Sequence, residues 1–352
     1  MKNEHIPVFY EGNDDYIEML SVSMISVLYN TKSFIDFYIL DCGICPLNKK
    51  ILETLHNTFN NFTIKYIPID LKKFSHLKGY RNGFLDCYAR LLIPELNKEI
   101  KRAIYFDFDI LLLDDIKKLW EQDLGEYELG AVPDLGYSAK IAERCLMIGI
   151  SQQQLYANAG TLLIDCEKWR ENNVSEKLLD IAFKIKEKIL FICEDILNLY
   201  YNNNTYKILD MRYNMRQMPN EIGKYCAPDI TDEYLKQEWK EICVLHWTIK
   251  PWFSVNYYND ELRFFSLFYF FAKQSPWYEG LVIKFIKNQR NMTISQIQQI
   301  IDKSNNTTNK ASPTTKKIKL FGIIPLITAK RKGNITHYKL FNIIPLLKKV
   351  EK

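Results

Sequence analysis

Arg102-Ala103-Ile104-Tyr105-Phe106-Asp107-Phe108-Asp109 decides the fold. The run from Arg102 to Phe106, rich in branched and aromatic residues, reads as a buried strand. It leads straight into two acids. Carboxylates at i and i+2 of an extended segment point to the same side. Left alone they repel, and one tends to take up a proton. A divalent cation removes that conflict, and carboxylate oxygens favour hard ions such as Mn2+ or Mg2+. Asp-x-Asp occurs by chance in many chains, so its placement after a strand carries the weight here.

The flanking sequence alternates between strand and helix. Val8-Phe9-Tyr10 opens as a short apolar strand. Asn13-Asp14-Asp15 is placed to cap a helix in which Ile17, Leu20, Met24, Val27 and Leu28 recur at helical spacing. Phe37-Tyr38-Ile39-Leu40 is the next strand, ending at Asp41. A helix is expected over 47–59, a strand over Ile64-Lys65-Tyr66-Ile67, and a helix over 85–96 stopped near Pro94. Leu129-Gly130-Ala131-Val132 and Thr161-Leu162-Leu163-Ile164 are further strands. This alternation predicts a three-layer α/β fold around a mostly parallel central sheet. Ligands of such sheets bind beyond the carboxyl ends of the strands, where Asp107 and Asp109 stand.

The chain has 352 residues, of which 47% are hydrophobic and 25% charged, a balance that excludes wholesale disorder and a fibre. No apolar run approaches the roughly 20 residues of a membrane-spanning helix. The N-terminus has no apolar signal region, which predicts a cytoplasmic start. Cys42 and Cys45 form a lone C-x-x-C without the second pair that zinc needs, and Pro46 follows it, so all eight cysteines are expected to be buried, reduced thiols.

The net charge is +5, but its distribution says more than its sum. From Lys310 to Lys352 eleven Lys or Arg stand against one Glu, so the other 309 residues carry −5. A nucleic-acid binder would spread positive charge over the fold, and no nucleic-acid partner is expected. The basic segment also repeats itself. Lys319-Leu320-Phe321-Gly322-Ile323-Ile324-Pro325-Leu326-Ile327 returns as Lys339-Leu340-Phe341-Asn342-Ile343-Ile344-Pro345-Leu346-Leu347. Each copy is an apolar wedge flanked by cations, and its proline argues against a clean helix. Such segments suit an anionic membrane surface, where each cation gains about 1 kcal/mol. Two short strands, packed on the body or on each other as a hairpin, are the alternative. The expected organisation is a catalytic domain over 1–280, a helical extension over 281–303, a polar linker over 304–315 and the basic-apolar tail over 316–352. Residues 252–278 hold twelve of the chain's 48 aromatics, which suits either a packed helix or an acceptor- or membrane-facing surface.

Far downstream lies Leu245-His246-Trp247-Thr248-Ile249-Lys250-Pro251-Trp252. An imidazole can complete a metal site begun by two carboxylates. A lysine four residues on can reach a diphosphate. A phosphatase of the haloacid-dehalogenase type also places Asp-x-Asp after a buried strand, with the first acid as nucleophile. It commonly has Thr or Val where Leu111 stands here.

Together these segments resemble glycosyltransferase family 8, the bacterial lipooligosaccharide α-galactosyl- and α-glucosyltransferases with glycogenin. The resemblance runs in family order from Ile6-Pro7-Val8-Phe9-Tyr10 and Asn13-Asp14-Asp15-Tyr16 through Leu40-Asp41-Cys42-Gly43-Ile44 and Tyr88-Ala89-Arg90-Leu91. It continues through Tyr105 to Asp109, Asn158-Ala159-Gly160 and Asp195-Ile196-Leu197-Asn198, and ends at His246 and Lys250-Pro251-Trp252. It implies a GT-A (Rossmann-like) fold and a UDP-sugar donor. It implies Mn2+ (or Mg2+) on Asp107, Asp109 and His246, with Phe108 between the two acids in the donor site. Lys250 would contact the diphosphate, Tyr10, Asn13 and Asp15 would line the uridine pocket, and Arg90 and Asn158 would orient the sugar. Transfer would retain the anomeric configuration.

Three departures from the family pattern bear on the donor. The usual Asp-Asp-Asn reads Asn13-Asp14-Asp15, the usual glycine between His246 and Lys250 is missing, and the usual Asp-Gln-Asp reads Cys193-Glu194-Asp195. Glu194 places a carboxylate near the anomeric carbon, as a nucleophile, an electrostatic stabiliser or a hydrogen-bond partner of a sugar hydroxyl. Glu194, Asp195 and Lys250 are the expected catalytic residues. The expected activity is metal-dependent transfer of galactose or glucose from UDP-galactose or UDP-glucose to a lipid-linked bacterial glycan of the lipopolysaccharide type. It would take place on the inner face of the cytoplasmic membrane. The rivals are the phosphatase, a non-catalytic membrane-docked nucleotide-sugar-binding protein, and self-glucosylation as in glycogenin.

Overall fold

The computed structural model describes residues 5–79, 83–134, 139–151, 154–216, 231–247, 250–251, 261–289, 315–320, 324–332, 335–340 and 344–350. The chain forms two compact units, 1–248 with 275–277, and 249–274 with 278–352.

The first unit runs β1 (His5–Gly12), α1 (Ile17–Asn30), β2 (Phe34–Asp41), α2 (Pro46–Glu53), β3 (Phe62–Pro68), α3 (Ile93–Leu96), β4 (Arg102–Phe106), β5 (Ile110–Leu112) and α4 (Lys117–Trp120). It continues with β6 (Leu129–Pro133), α5 (Ala139–Ile148), β7 (Ala157–Asp165), α6 (Cys166–Glu171), α7 (Val174–Ile185), α8 (Ile192–Tyr200), β8 (Lys207–Ile208), β9 (Met215–Arg216), α9 (Asp232–Lys240) and β10 (Val244–His246). The main sheet has the order β3-β2-β1-β4-β7-β6-β8. β3, β2, β1 and β4 are mutually parallel, as is the pair β6–β8, while β7 runs against both β4 and β6. The mostly parallel sheet is therefore present with one reversed strand. Its centre is buried on both faces, which explains the near-continuous apolar runs of β1, β4 and β7.

A second sheet of three short strands, β5-β10-β9, positions the site. β10 pairs antiparallel with β5 and parallel with β9, so that His246 stands opposite both Ile110 and Arg216. This register draws a residue near position 246 against the turn that follows β4.

Several local expectations need correction. The segment 85–96 is a 3-10 helix over Asp86–Leu92 followed by the short α3, and Pro94 lies within α3's first turn, where its missing N–H costs nothing. The helix begun at Pro46 gives way to a 3-10 turn at Thr54–Asn57. The acids before α1 do not cap it. Asp14 Oδ1 instead accepts from the Cys45 amide (2.9 Å) and Asn48 Nδ2 (2.8 Å) at the start of α2. The expectation of uniformly buried thiols also fails. Cys42, Cys45 and Cys87 are half-buried, and Cys45 caps α2 by accepting from the Asn48 amide. Asp107 and Asp109 lie in a turn after β4 rather than on the strand itself.

The second unit holds α10 (Glu261–Ala272) and α11 (Tyr278–Gln289). Phe265 and Tyr269 of α10 meet the Phe285 ring of α11 at 5.2 and 5.9 Å between centroids, so part of the aromatic excess is helix-helix packing. Residues 252–260 lie outside the described residues, as do 304–314 of the expected linker, whose last residue, Thr315, opens a strand. The basic repeat forms β11 (Thr315–Leu320), β12 (Ile324–Lys332), β13 (Ile335–Leu340) and β14 (Ile344–Val350), an antiparallel sheet in sequence order. Its two outer pairings are copies of each other. Thr315↔Lys330 becomes Ile335↔Val350, Leu320↔Ile324 becomes Leu340↔Ile344, and the register shift at Ile318/Lys319 recurs at Tyr338/Lys339. Cross-strand partners share a face. Ile318, Ile327, Leu340 and Ile344 therefore share one face with Ala329, Tyr338 and Leu347. Lys317, Lys330, Lys332, Lys339 and Lys348 lie on the other, while Lys316, Arg331 and Lys349 fall on the face of the apolar residues. No helix among the described residues is long and apolar enough to cross a membrane.

Candidate active site

The acids after β4 and the histidine of β10 converge. Each of Asp107, Asp109 and His246 offers a ligand atom, and these atoms lie within 4.8 Å of one another. His246 Nε2 stands 3.2 Å from Asp109 Oδ1 and 3.9 Å from Asp107 Oδ2. Backbone bonds fix the three segments. The Asp107 amide donates to the Gly160 carbonyl (2.8 Å), and the Trp247 amide donates to the Asp109 carbonyl (3.1 Å). Gly160 is required by close approach. A Cβ there would press into the His246 ring and would stand 3.0 Å from Asn158 Oδ1.

The donor set fits a hard divalent ion of the Mn2+ or Mg2+ kind, with two carboxylates and one borderline nitrogen. Burial holds the His246 imidazole below its ordinary pKa, against the opposing pull of Asp107, and the neutral ring is the form that ligates. Arg90 and the Tyr105 hydroxyl both donate to Asp107 Oδ1, at 2.8 and 2.7 Å. These bonds fix the carboxylate and turn Oδ2 towards His246.

Arg90 is buried, and its other donors reach Glu11 Oε1 (2.8 Å) and the Ala159 carbonyl (3.2 Å). Glu11 was missed by sequence reading. Alternation along β1 turns it towards Arg90, whereas Tyr10 faces α1, fully buried, with its hydroxyl 2.9 Å from Ser23 Oγ. Burial raises the Glu11 pKa, Arg90 opposes this, and Oε2 is buried without a hydrogen-bond partner. Asn13 Nδ2 donates to Asp86 (2.6 Å) and its Oδ1 accepts from the Asp15 amide (2.9 Å), while the Asp15 side chain is exposed. Phe108 stacks on Tyr16 with centroids 4.3 Å apart.

Beneath the metal-ligand cluster lies a polar network that the sequence did not reveal. Asn158 Oδ1 accepts from the Gly160 amide (2.9 Å) and Asn214 Nδ2 (2.7 Å). Its Nδ2 donates to Glu194 Oε1 (2.7 Å) and Asp134 Oδ2 (3.2 Å). All four hydrogen-bonding positions of that amide are thereby filled. Arg216 pairs with both oxygens of Asp134, at 2.5 and 2.7 Å. Burial, then the neighbouring Asp134 charge, push the Glu194 pKa up to about 8, with Arg216 opposing. These surroundings favour the protonated form of Glu194 in the metal-free protein.

The neighbours of Glu194 in α8 point elsewhere. Asp195 is fully buried and accepts from the Leu190 and Phe191 amides and the Tyr156 hydroxyl, at 2.8, 2.9 and 2.7 Å, which anchors the start of the helix. Cys193 donates its thiol to the Cys87 carbonyl, and burial raises its pKa. Lys250 is half-buried and belongs to the second unit.

A model of the family described as Glycosyl transferase family 8 matches residues 7–256. The chain belongs to that family. It is a glycosyltransferase, and the phosphatase reading falls away. General stress protein A of Bacillus subtilis is 30% identical over 213 residues, covering 59% of this chain and 73% of that protein. The lipopolysaccharide 1,3-galactosyltransferase of Salmonella typhimurium is 23% identical over 283 residues, covering 77% and 78%. The crystal structure of the galactosyltransferase LgtC in complex with donor and acceptor sugar analogues matches with a TM-score of 0.63 at 25% identity, covering 75% of this chain and 95% of that one. This glycosyltransferase has the GT-A fold expected from its sequence.

Proposed function

We propose that this glycosyltransferase transfers galactose or glucose from a UDP-sugar to a lipid-linked glycan of the lipopolysaccharide type, with retention of anomeric configuration. The observation that carries the reading is the convergence of Asp107, Asp109 and His246 to within 4.8 Å. A Mn2+ or Mg2+ ion held by these three supplies neutralising charge for a departing diphosphate. The chain's own groups prepare that site. Arg90 and Tyr105 lock Asp107, and Glu11 holds Arg90 from behind. Glu194, whose carboxyl burial and Asp134 push towards the protonated form, is assigned to hydrogen-bond a sugar hydroxyl rather than to act as a nucleophile. Lys250 is assigned to the diphosphate, and Asn13, Asp15 and Phe108 to the uridine side of the donor.

The acceptor assignment is supported by the lipopolysaccharide galactosyltransferase among the relatives. We assign catalysis to residues 1–280 and peripheral attachment at the inner face of the cytoplasmic membrane to 316–352. The more lysine-rich face of the β11–β14 sheet suits anionic headgroups there.

A panel of UDP-hexoses assayed for Mn2+-dependent hydrolysis and transfer tests the core of this reading. Turnover with one UDP-hexose, lost in chelator, is expected. Binding of a UDP-sugar without turnover over long incubation, or full activity in chelator, would overturn it.

A further inference from the structure

We propose that Asn214, a residue without a role in the reading above, is the positioning residue that presets the His246 tautomer for metal capture. The inference rests on the metal site proposed above, and it follows from a chain of hydrogen bonds with one fixed end.

That end is the Gly160 backbone N–H, which can only donate. It donates to Asn158 Oδ1 (2.9 Å), so this atom of Asn158 is the acceptor and the amide orientation is settled. Asn214 approaches the same oxygen at 2.7 Å and must therefore present its NH2 group to it. Its carbonyl oxygen is left facing His246 Nδ1 at 3.0 Å. A carbonyl oxygen can only accept, so Nδ1 carries the proton. The lone pair then lies on Nε2, the nitrogen that faces Asp109 and Asp107. Backbone geometry on β7 thus dictates, through two amides, which imidazole nitrogen is available to an ion.

The arrangement is built rather than incidental. Asn214 is 1% exposed and stands at the entry to β9, where its amide donates to the Met211 carbonyl (3.1 Å). β9 pairs with β10 at Leu245 and His246, so the strand that Asn214 leads into is the neighbour of the strand that carries the histidine. Asn158 Nδ2 donates to Glu194 and Asp134, so the same amides join the metal ligand to the Glu194 carboxyl.

The test uses the full chain, labelled with 15N-histidine and free of metal. His246→Gln identifies the His246 signals among the five histidines by their absence. In the wild type, a protonated Nδ1 and an unprotonated Nε2 are expected. Asn214→Leu should mix the tautomers and weaken Mn2+ binding, read by EPR of the free ion, by roughly 10–100-fold. Asn214→Asp keeps an acceptor beside Nδ1 but sets an oxygen against Asn158 Oδ1, so it should keep the proton on Nδ1 while lowering the melting temperature. A merely structural asparagine would move neither nitrogen. A wild-type spectrum with the proton on Nε2 overturns the proposal even if Asn214→Leu does not fold. So does a folded Asn214→Leu with wild-type tautomer and Mn2+ affinity. The expected tautomer together with no Mn2+ uptake by the wild type would overturn the metal assignment instead.

Discussion

The cluster around His246 and the sheet β11–β14 reach order by opposite routes. The cluster uses each residue once. Its partners come from β4, β7, α8, β9 and β10, and single atoms such as Asn158 Oδ1 answer two donors. The sheet uses one pattern twice, with every outer pairing repeated twenty positions on. A network of unique parts fails when one part fails, because a buried polar group left without its partner costs about 1–3 kcal/mol. A repeated pattern loses function in small, similar steps.

The largest expected effect belongs to the unique network. Asp107→Ala removes a metal ligand and releases Arg90 and Tyr105, and UDP-sugar turnover should fall by about a thousand-fold or more, since a bound ion supplies several kcal/mol. Gly160→Ala comes next. Its added methyl displaces the His246 ring, costs about 1–3 kcal/mol in melting experiments and weakens Mn2+ binding with the fold retained. Unchanged Mn2+ affinity would show that the cluster tolerates displacement and would break the contrast.

Glu194→Gln sharpens it through pH. The folded pKa is raised to about 8, above an ordinary carboxyl, so the wild-type stability contribution is complete below the unfolded value near 4.5 and declines as pH rises towards 8. Gln cannot ionise, so thermal melts of the metal-free proteins should converge at pH 4 and diverge at pH 9 in favour of the variant. Parallel curves would refute the buried-proton reading.

The smallest step belongs to the sheet. Replacing Lys330 or Lys339 singly by Gln should reduce binding to anionic vesicles about fivefold, for a loss of about 1 kcal/mol each. High salt should mimic the loss. Deleting residues from Lys316 onward should abolish vesicle binding, and vesicle binding unchanged by the deletion would refute the assignment.

Much of this molecule could be read from residue order alone. The apolar run ending in Asp107 and Asp109 marks a strand whose neighbours pair as alternation predicts, and His246 is recognisable because it alone of the five histidines has a lysine four residues on. Glu11, Asp134, Asn214 and Arg216 were not recognisable. Asn214 reaches Asn158 across 56 positions and Arg216 reaches Asp134 across 82, so no local period joins them. β8 and β9 are each two residues long, too short to show alternation. The acids before α1 misled for a related reason, since Asp14 found the amides of α2 closer than those of its own helix.

The recurring register shift of the C-terminal sheet has a consequence for how such a segment can change. A further twenty-residue copy grafted after Val350 would meet the outer edge of β14 as β13 meets β12. Lengthening by tandem duplication would then need no new lock-and-key fit. Under the membrane assignment proposed above, copy number would tune residence time at the lipid surface while leaving the chemistry of sugar transfer untouched.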